Sequence, residues 1–227
     1  MNVPKAAASS TSSRMFSAAR SVLPSLLIID DFLADPYAAR RAALGLEYDP
    51  ARQHGNFPGL NSSTPLDTEA VDAAVSRLLG TKLGPAPGTQ HGHCRLTRKG
   101  DKGRSGVHID PASYSGILYL SRPEDCAKPQ AGGTDFFRHK RTGLESVPQD
   151  PARIAASGYA DINALVEDVV NKDTTSPAKW ERILRIPARF NRLLLFSPWQ
   201  FHDAAPGFGT TPDDARLVML LFFGPKV

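Results

Sequence analysis

The chain has 227 residues, 41% of them hydrophobic and 22% charged, which is a globular composition long enough for one sizeable core. Its formal charge is +4, but Lys5, Arg14 and Arg20, with no acid among residues 1–25, supply three of those charges. The remainder is nearly neutral and makes an unsuitable partner for nucleic acid. No run of about 18 uninterrupted apolar residues occurs, so no membrane helix is expected. The two cysteines, Cys94 and Cys126, belong to no C-x-x-C pair, which suits a soluble protein of a reducing cytoplasm better than a disulfide framework.

Residues 1–25 are rich in serine and alanine and read as a flexible tail. They lack the apolar h-region of a secretory signal, and a transit peptide is the other reading. Residues 26–227 are expected to form a single domain. "LPSLLIIDDFL" reads as a buried strand that runs out at Asp30 and Asp31. "DPYAARRAALGL" follows as a helix, with Asp35 at the N-cap and Pro36 at the first helical position. "QHGNFPGLNSSTP" is a loop of turn residues, and "LDTEAVDAAVSRLL" predicts a second helix whose apolar face carries Leu66, Ala70, Val71, Ala74, Val75 and Leu78.

From about residue 90 the pattern turns to short strands. "QHGHCRL", "GVHID", "GILYLS", "GTDFF", "FNRLLLF", "WQFHD" and "RLVMLLFF" succeed one another between Gly, Pro and Asp turns. One insertion, at about 139–189, interrupts them. Its "DINALVEDVV" and "PAKWERILRI" both read as helical, and its length predicts a lid, a substrate wall or an interface.

The chemistry concentrates in the strands. His108 and Asp110 stand two apart in "GVHID", and on a strand residues i and i+2 share a face. A third ligand is expected from a late strand, because sandwich and barrel topologies join distant segments, and His202 in "WQFHD" is the candidate. Two imidazoles and one carboxylate form the facial triad that holds Fe(II) and leaves positions open; zinc hydrolysis can use similar ligands. Arg216 heads the apolar "RLVMLLFF" and needs an anion, since a buried unpaired charge costs several kcal/mol. Asp213 and Asp214 are its structural alternatives. His91 and His93 form a second i, i+2 pair without further ligands, and read as structural or pocket-lining. Arg95 and Arg98 read as lining an exposed strand face, with a reach into the substrate pocket as the other reading, and Trp199 and Phe201 as packing near the metal.

Taken in order, "HID", "GILYLS", "AGGTDFF", "NRLLLFSPWQFH" and Arg216 resemble the prolyl-hydroxylase-like branch of the Fe(II)/2-oxoglutarate-dependent oxygenases, over about residues 90 to 223. The resemblance implies a mainly β fold with flanking helices around a double-stranded β-helix, or jelly-roll, core. It implies iron held by His108, Asp110 and His202, and 2-oxoglutarate anchored by Arg216 through its distal carboxylate. Tyr119 is expected to offer a hydroxyl to the co-substrate pocket, and Gly132 and Gly133 match the turn that opens the family's "GG" strand. The implied activity is hydroxylation of an unactivated C–H bond of a small-molecule or peptide substrate by O2, with succinate and CO2 as co-products. Many members carry a serine two positions after the arginine, where this chain has Val218, and the loop "GFGTTPDD" lengthens the gap from His202 to Arg216. The second arginine of the nucleic-acid demethylases is replaced by Phe222, and Asp110 is retained where halogenating members have a small residue. A non-redox metal-binding jelly-roll ligand-binding module, and an iron dioxygenase or hydrolase independent of 2-oxoglutarate, remain as alternatives.

Overall fold

The computed structural model describes residues 25–52, 55–126 and 132–226; apart from Ser25, the expected N-terminal tail lies outside the described residues. Among the described residues, ten strands form two antiparallel sheets. They are β1 (Leu26–Ile29), β2 (Leu60–Asn61), β3 (Leu83–Pro85), β4 (Cys94–Thr97), β5 (Tyr114–Tyr119), β6 (Thr134–His139), β7 (Trp180–Ile186), β8 (Arg192–Phe196), β9 (His202–Ala204) and β10 (Arg216–Pro225). The larger sheet runs β1-β8-β5-β10-β4-β2, with β3 also on β10, and the smaller runs β7-β6-β9. An isolated bridge between His108 and His202 adds the stretch around His108 to the smaller sheet. From β4 onward the chain therefore visits the large sheet, the small, the large, the small twice, the large, the small and the large again. That order is the double-stranded β-helix, a jelly roll flanked by helices.

Alternation along the strands sorts side chains into three layers. On β10, Leu217, Met219, Leu221 and Phe223 point outward with Leu118, Leu193 and Leu195, against Val71, Val75 and Leu79 of helix α2 (Glu69–Leu79) and Ala43 of helix α1 (Pro36–Leu44). The intervening Val218 and Leu220 point inward, with Tyr119, Leu194 and Phe196, to meet Phe136 and Ile186 of the small sheet. On the far side of the small sheet, Val107, Trp180 and Phe201 pack against Val147, Leu165, Val169 and Val170 of the insertion.

Local signals fix the helices. Asp35 Oδ1 accepts from the Ala38 backbone N–H at 2.8 Å, as expected of an N-cap, and Pro36 opens α1. Helix α2 starts at Glu69 rather than Leu66, and its buried face holds Val71, Asp72, Val75 and Leu79, whereas the expected Ala70 and Leu78 are exposed. The face is rotated because Asp72 turns inward to His91, at 3.0 Å.

The insertion is helical only in its first half. Helix α3 (Pro123–Cys126) precedes β6; the insertion itself holds α4 (Pro151–Ala156), capped by Asp150, and α5 (Ile162–Leu165), capped by Asp161, which widens into a π-turn over Val166–Asn171. "PAKWERILRI", expected as a helix, is instead strand β7 after a short 3-10 turn. Its helical propensity is overridden by pairing with β6 and by Arg185, which binds Asp135 across the pair at 2.5 Å. "GVHID" and "QHGHCRL" are also shorter as strands than expected. The first is a single bridge, because its flanking N–H groups bond elsewhere, Val107 to Thr174 and Asp110 to Pro198. The second pairs only at Cys94–Thr97.

Both cysteines are free thiols, and no helix among the described residues is long and apolar enough to cross a membrane. Leu118 is 0% exposed between the large sheet and the helices. Leu118→Ala is expected to destabilise the fold by about 2–5 kcal/mol, read as a fall in the denaturant midpoint; an unchanged midpoint would contradict the layer assignment.

Candidate functional site

Strand parity carries the polar residues inward. With Leu217 and Met219 in the outer layer, Arg216 and Val218 face the interior; with Cys94 and Leu96 outward, Arg95 faces it too. The two arginines meet the end of the small sheet in a cavity of about 70 Å³, whose lining includes His108, Asp110, His202, Arg216, Arg95 and Thr134.

His108 and His202 exchange both main-chain hydrogen bonds, at 2.9 and 3.1 Å, and their ring centroids lie 4.3 Å apart. His108 Nδ1 lies 2.8 Å from the Gly106 carbonyl and His202 Nδ1 2.8 Å from the Gln200 carbonyl. A carbonyl only accepts, so both Nδ1 atoms carry hydrogen and both Nε2 atoms are turned to Asp110. His108 Nε2 is 3.7 Å from Asp110 Oδ1, and His202 Nε2 is 3.1 Å from Oδ2. Ser115 Oγ donates to Oδ2 at 2.5 Å.

The three residues offer ligand atoms that all lie within 4.8 Å of one another. Burial, then the neighbouring His202, pulls the His108 pKa down to about 4. Burial alone would lower His202 and raise Asp110, but their mutual attraction outweighs it, so His202 lies above its ordinary value and Asp110 below. Neutral Nε2 lone pairs facing a carboxylate repel it unless a cation stands between. A proton on His202 serves, and so does a metal held by two imidazoles and one carboxylate, with backbone carbonyls fixing the rings from behind. The donor set fits Fe(II).

Arg216 is 2% exposed. Its Nε donates to the Gly132 carbonyl at 2.9 Å and its Nη2 to that of Gly133 at 3.5 Å, and its guanidinium carbon lies 5.8 Å from the centroid of the Tyr119 ring. Among the described residues it forms no ion pair within 4 Å. The acids beside it in sequence are engaged elsewhere: Asp213 with Arg40 and Arg122, and Asp214 with the N–H groups of Thr210 and Thr211. Gly132 has φ +78°, and a Cβ on Gly133 would come within 2.3 Å of the Ile186 carbonyl oxygen, so both positions require glycine.

Tyr119, expected to reach the pocket, lies one layer behind. Its hydroxyl meets Thr134 Oγ1 at 2.7 Å, and Thr134 is the residue that lines the cavity. Val218 is buried in the inner apolar cluster and offers no donor. Asp203, beside His202, also lines the cavity, and burial raises its carboxyl to about 6.

Of the two readings of Arg95, the structure favours the pocket over the exposed face: it is half-buried and lines the cavity. Its Nε donates to Asn61 Oδ1 at 2.6 Å, and its guanidinium stacks 5.2 Å from the Phe57 centroid. Burial, then the charge of Arg216, lowers its pKa to about 10. The legible signal was its place between Cys94 and Leu96: where alternate residues are buried on one side and the sheet is covered on the other, the intervening residue also faces inward.

A groove of about 530 Å³ adjoins the cavity and shares Phe57, Arg95, Asp110, Leu220 and Phe222 with it. Its remaining wall comes from residues 55–63, 88–93 and 109–111. The 139–189 insertion, expected as a lid or wall, contributes nothing to either space, since it packs on the outer face of the small sheet. His93 lines the groove and bonds the Ser62 carbonyl, whereas His91 is structural, bonded to Asp72 and Thr68.

Residues 17–223 match the model of a family described as of unknown function, DUF6445. No curated protein matches the sequence. Among solved structures, the chain is similar to HygX from Streptomyces hygroscopicus with nickel, 2-oxoglutarate and hygromycin B bound, at 13% identity over 90% of this chain and 84% of that one, TM-score 0.48. It is similar to SnoN, a non-heme α-ketoglutarate-dependent epimerase from nogalamycin biosynthesis, at 14% identity over 89% and 79%, TM-score 0.49. A prolyl hydroxylase from Trichoplax adhaerens, in complex with a hypoxia inducible factor peptide fragment, is 14% identical over 88% and 83%, TM-score 0.46.

A metal entering the triad must displace the proton shared by Asp110 and His202. Because the His202 pKa is raised, that proton is held below the pKa and lost above it, so affinity for Co(II) or Zn(II) is expected to fall as pH drops through it. Calorimetry in buffers of different ionisation enthalpy measures the proton released; binding with no release and no pH dependence would contradict the arrangement.

Proposed function

The chain belongs to the DUF6445 family, and we propose that it is an Fe(II)/2-oxoglutarate-dependent oxygenase that hydroxylates an unactivated C–H bond of a small-molecule or peptide substrate. One observation carries this reading: a buried arginine without an ion pair among the described residues shares a cavity of about 70 Å³ with two imidazoles and a carboxylate. A metal-binding module without a co-substrate, or an iron enzyme independent of 2-oxoglutarate, gives Arg216 no anion to pair with directly, and leaves its burial offset only in part by the two glycine carbonyls, the Tyr119 ring and the more distant Asp203.

His108, Asp110 and His202 would hold the iron. Bound there, Fe(II) couples the oxidative decarboxylation of 2-oxoglutarate by O2 to hydroxylation of the substrate. The chain's part is to fix each group beforehand. The Gly106 and Gln200 carbonyls hold the imidazoles with Nε2 toward the metal position, and Ser115 holds Asp110. Arg216, oriented by Gly132 and Gly133, supplies the positive charge for the distal carboxylate of the co-substrate. Thr134, with its oxygen partnered by the Tyr119 hydroxyl, supplies the neutral donor that Val218 lacks. Ile117, Phe196, Leu220 and Phe222 line the same cavity and exclude water from the reacting centre.

With Fe(II), ascorbate and O2, the protein is expected to convert 2-oxoglutarate slowly to succinate even before its substrate is known. His108→Ala should abolish that turnover, and full succinate formation by the variant would sink the reading. Arg216→Gln should keep the metal but raise the KM for 2-oxoglutarate at least about thirtyfold, the equivalent of roughly 2 kcal/mol for a lost buried charge pair. An unchanged KM would remove Arg216 from the co-substrate site.

A further inference from the structure

We infer that the groove beside the cavity takes a small molecule bearing one carboxylate on an otherwise neutral polar body, and that Arg95 is the specificity residue that binds this carboxylate. The inference rests on the oxygenase reading for which end of the ligand reacts: the end nearest His108 and Asp110.

Two arginines serve this region from different places. Arg216 lines the cavity alone, whereas Arg95 lines both the cavity and the groove. Arg95 is held by neutral partners, its Nε by Asn61 Oδ1 and its flat face by Phe57, and no acid lies within 4 Å of it among the described residues. The acids that share the cavity are otherwise engaged. Asp110 faces His108, His202 and Ser115; Asp203 accepts from the Ala204 backbone N–H at 2.7 Å, and both carboxylates attract Arg95 from beyond ion-pair distance without pairing with it. A guanidinium in this position is disfavoured by its burial and by the like charge of Arg216. An incoming carboxylate relieves both.

The rest of the groove narrows the ligand further. Among the described residues, and apart from Arg95 and Asp110, its lining contains no Asp, Glu, Lys or Arg; polar side chains are supplied to it by Asn56, Thr89, Gln90 and His93. Amide and hydroxyl side chains of this kind pair with amides and hydroxyls, and Phe57 and Phe222 supply apolar faces. A volume of about 530 Å³ suits a ligand of amino-acid-derivative size. One cation for one anion, neutral donors and acceptors, and two aromatic walls describe an N-acylated amino acid or a related hydroxy or amido acid.

The test is a panel of N-acetyl amino acids, each compared with its own primary amide, which keeps the shape and removes the charge. Binding to the full chain with Zn(II) and 2-oxoglutarate is read by ligand-detected NMR and calorimetry. At least one acid is expected to bind about tenfold or more tighter than its amide, the size of one charge-assisted hydrogen-bond pair. Arg95→Gln should reduce that contrast to less than about threefold, and Arg95→Lys should keep part of it. The wild-type comparison needs no variant, so a fold defect in Arg95→Gln does not shield the inference. It is overturned if no acid binds in preference to its amide at millimolar concentration, or if the contrast survives Arg95→Gln. It is equally overturned if Arg95→Gln weakens 2-oxoglutarate as steeply as Arg216→Gln, which would assign Arg95 to the co-substrate. Failure of 2-oxoglutarate itself to bind is a separate result that removes the oxygenase reading, while the acid and amide contrast still reads the groove.

Discussion

The two main-chain hydrogen bonds exchanged by His108 and His202, 2.9 and 3.1 Å long, are the joint on which the rest of the site depends. They tie a stretch that is otherwise loop to β9 and set two imidazoles side by side from distant parts of the chain. Alternation does the remainder: Val107 and Phe201, the residues just before each histidine, point the other way, into the apolar cluster formed with the insertion. The insertion thus acts as a buttress behind the histidines. Asp110, two residues beyond His108, returns to the inner face and meets both rings.

A second constraint is charge. The cavity gathers Asp110, Asp203, Arg95 and Arg216 against apolar walls, an arrangement that contributes little to stability without ligands. Arg216 is held by the carbonyls of Gly132 and Gly133 and by the Tyr119 ring, none of which neutralises it. In the proposed reading the metal pairs directly with Asp110 and the co-substrate carboxylate with Arg216, so both should stabilise the fold as well as perform chemistry. The glycines belong to the same device, because any side chain on Gly133 would collide with β7 at Ile186.

Much of this was legible in the residues. The continuous apolar run of "RLVMLLFF", buried along nearly its whole length, places Arg216 inside, and Asp35 and Pro36 mark the start of α1 through their own hydrogen-bonding chemistry. The HxD spacing and the late histidine point to a common centre, and the structure brings their ligand atoms together. What was hidden depends on tertiary pairing. Strand β7 reads as helical until β6 offers it an edge, and α2 turns by one position because a buried acid, Asp72, must reach His91. Arg95 looked like a surface residue because its strand's two neighbours, β10 and β2, are not visible from local sequence. The insertion's length suggested a lid, but length does not say which face of a sheet is covered.

In the proposed reading, one cavity holds a metal at the triad and an oxo acid anchored by Arg216. The most direct test of that reading is an anaerobic titration of the Fe(II)-loaded protein with 2-oxoglutarate, followed by visible absorption. On this reading a weak metal-to-ligand charge-transfer band appears and saturates at one equivalent, the signature of a 2-oxo acid chelated to ferrous iron. Iron bound without any such band would contradict it, and would leave His108, Asp110 and His202 as ligands of a metal with another purpose.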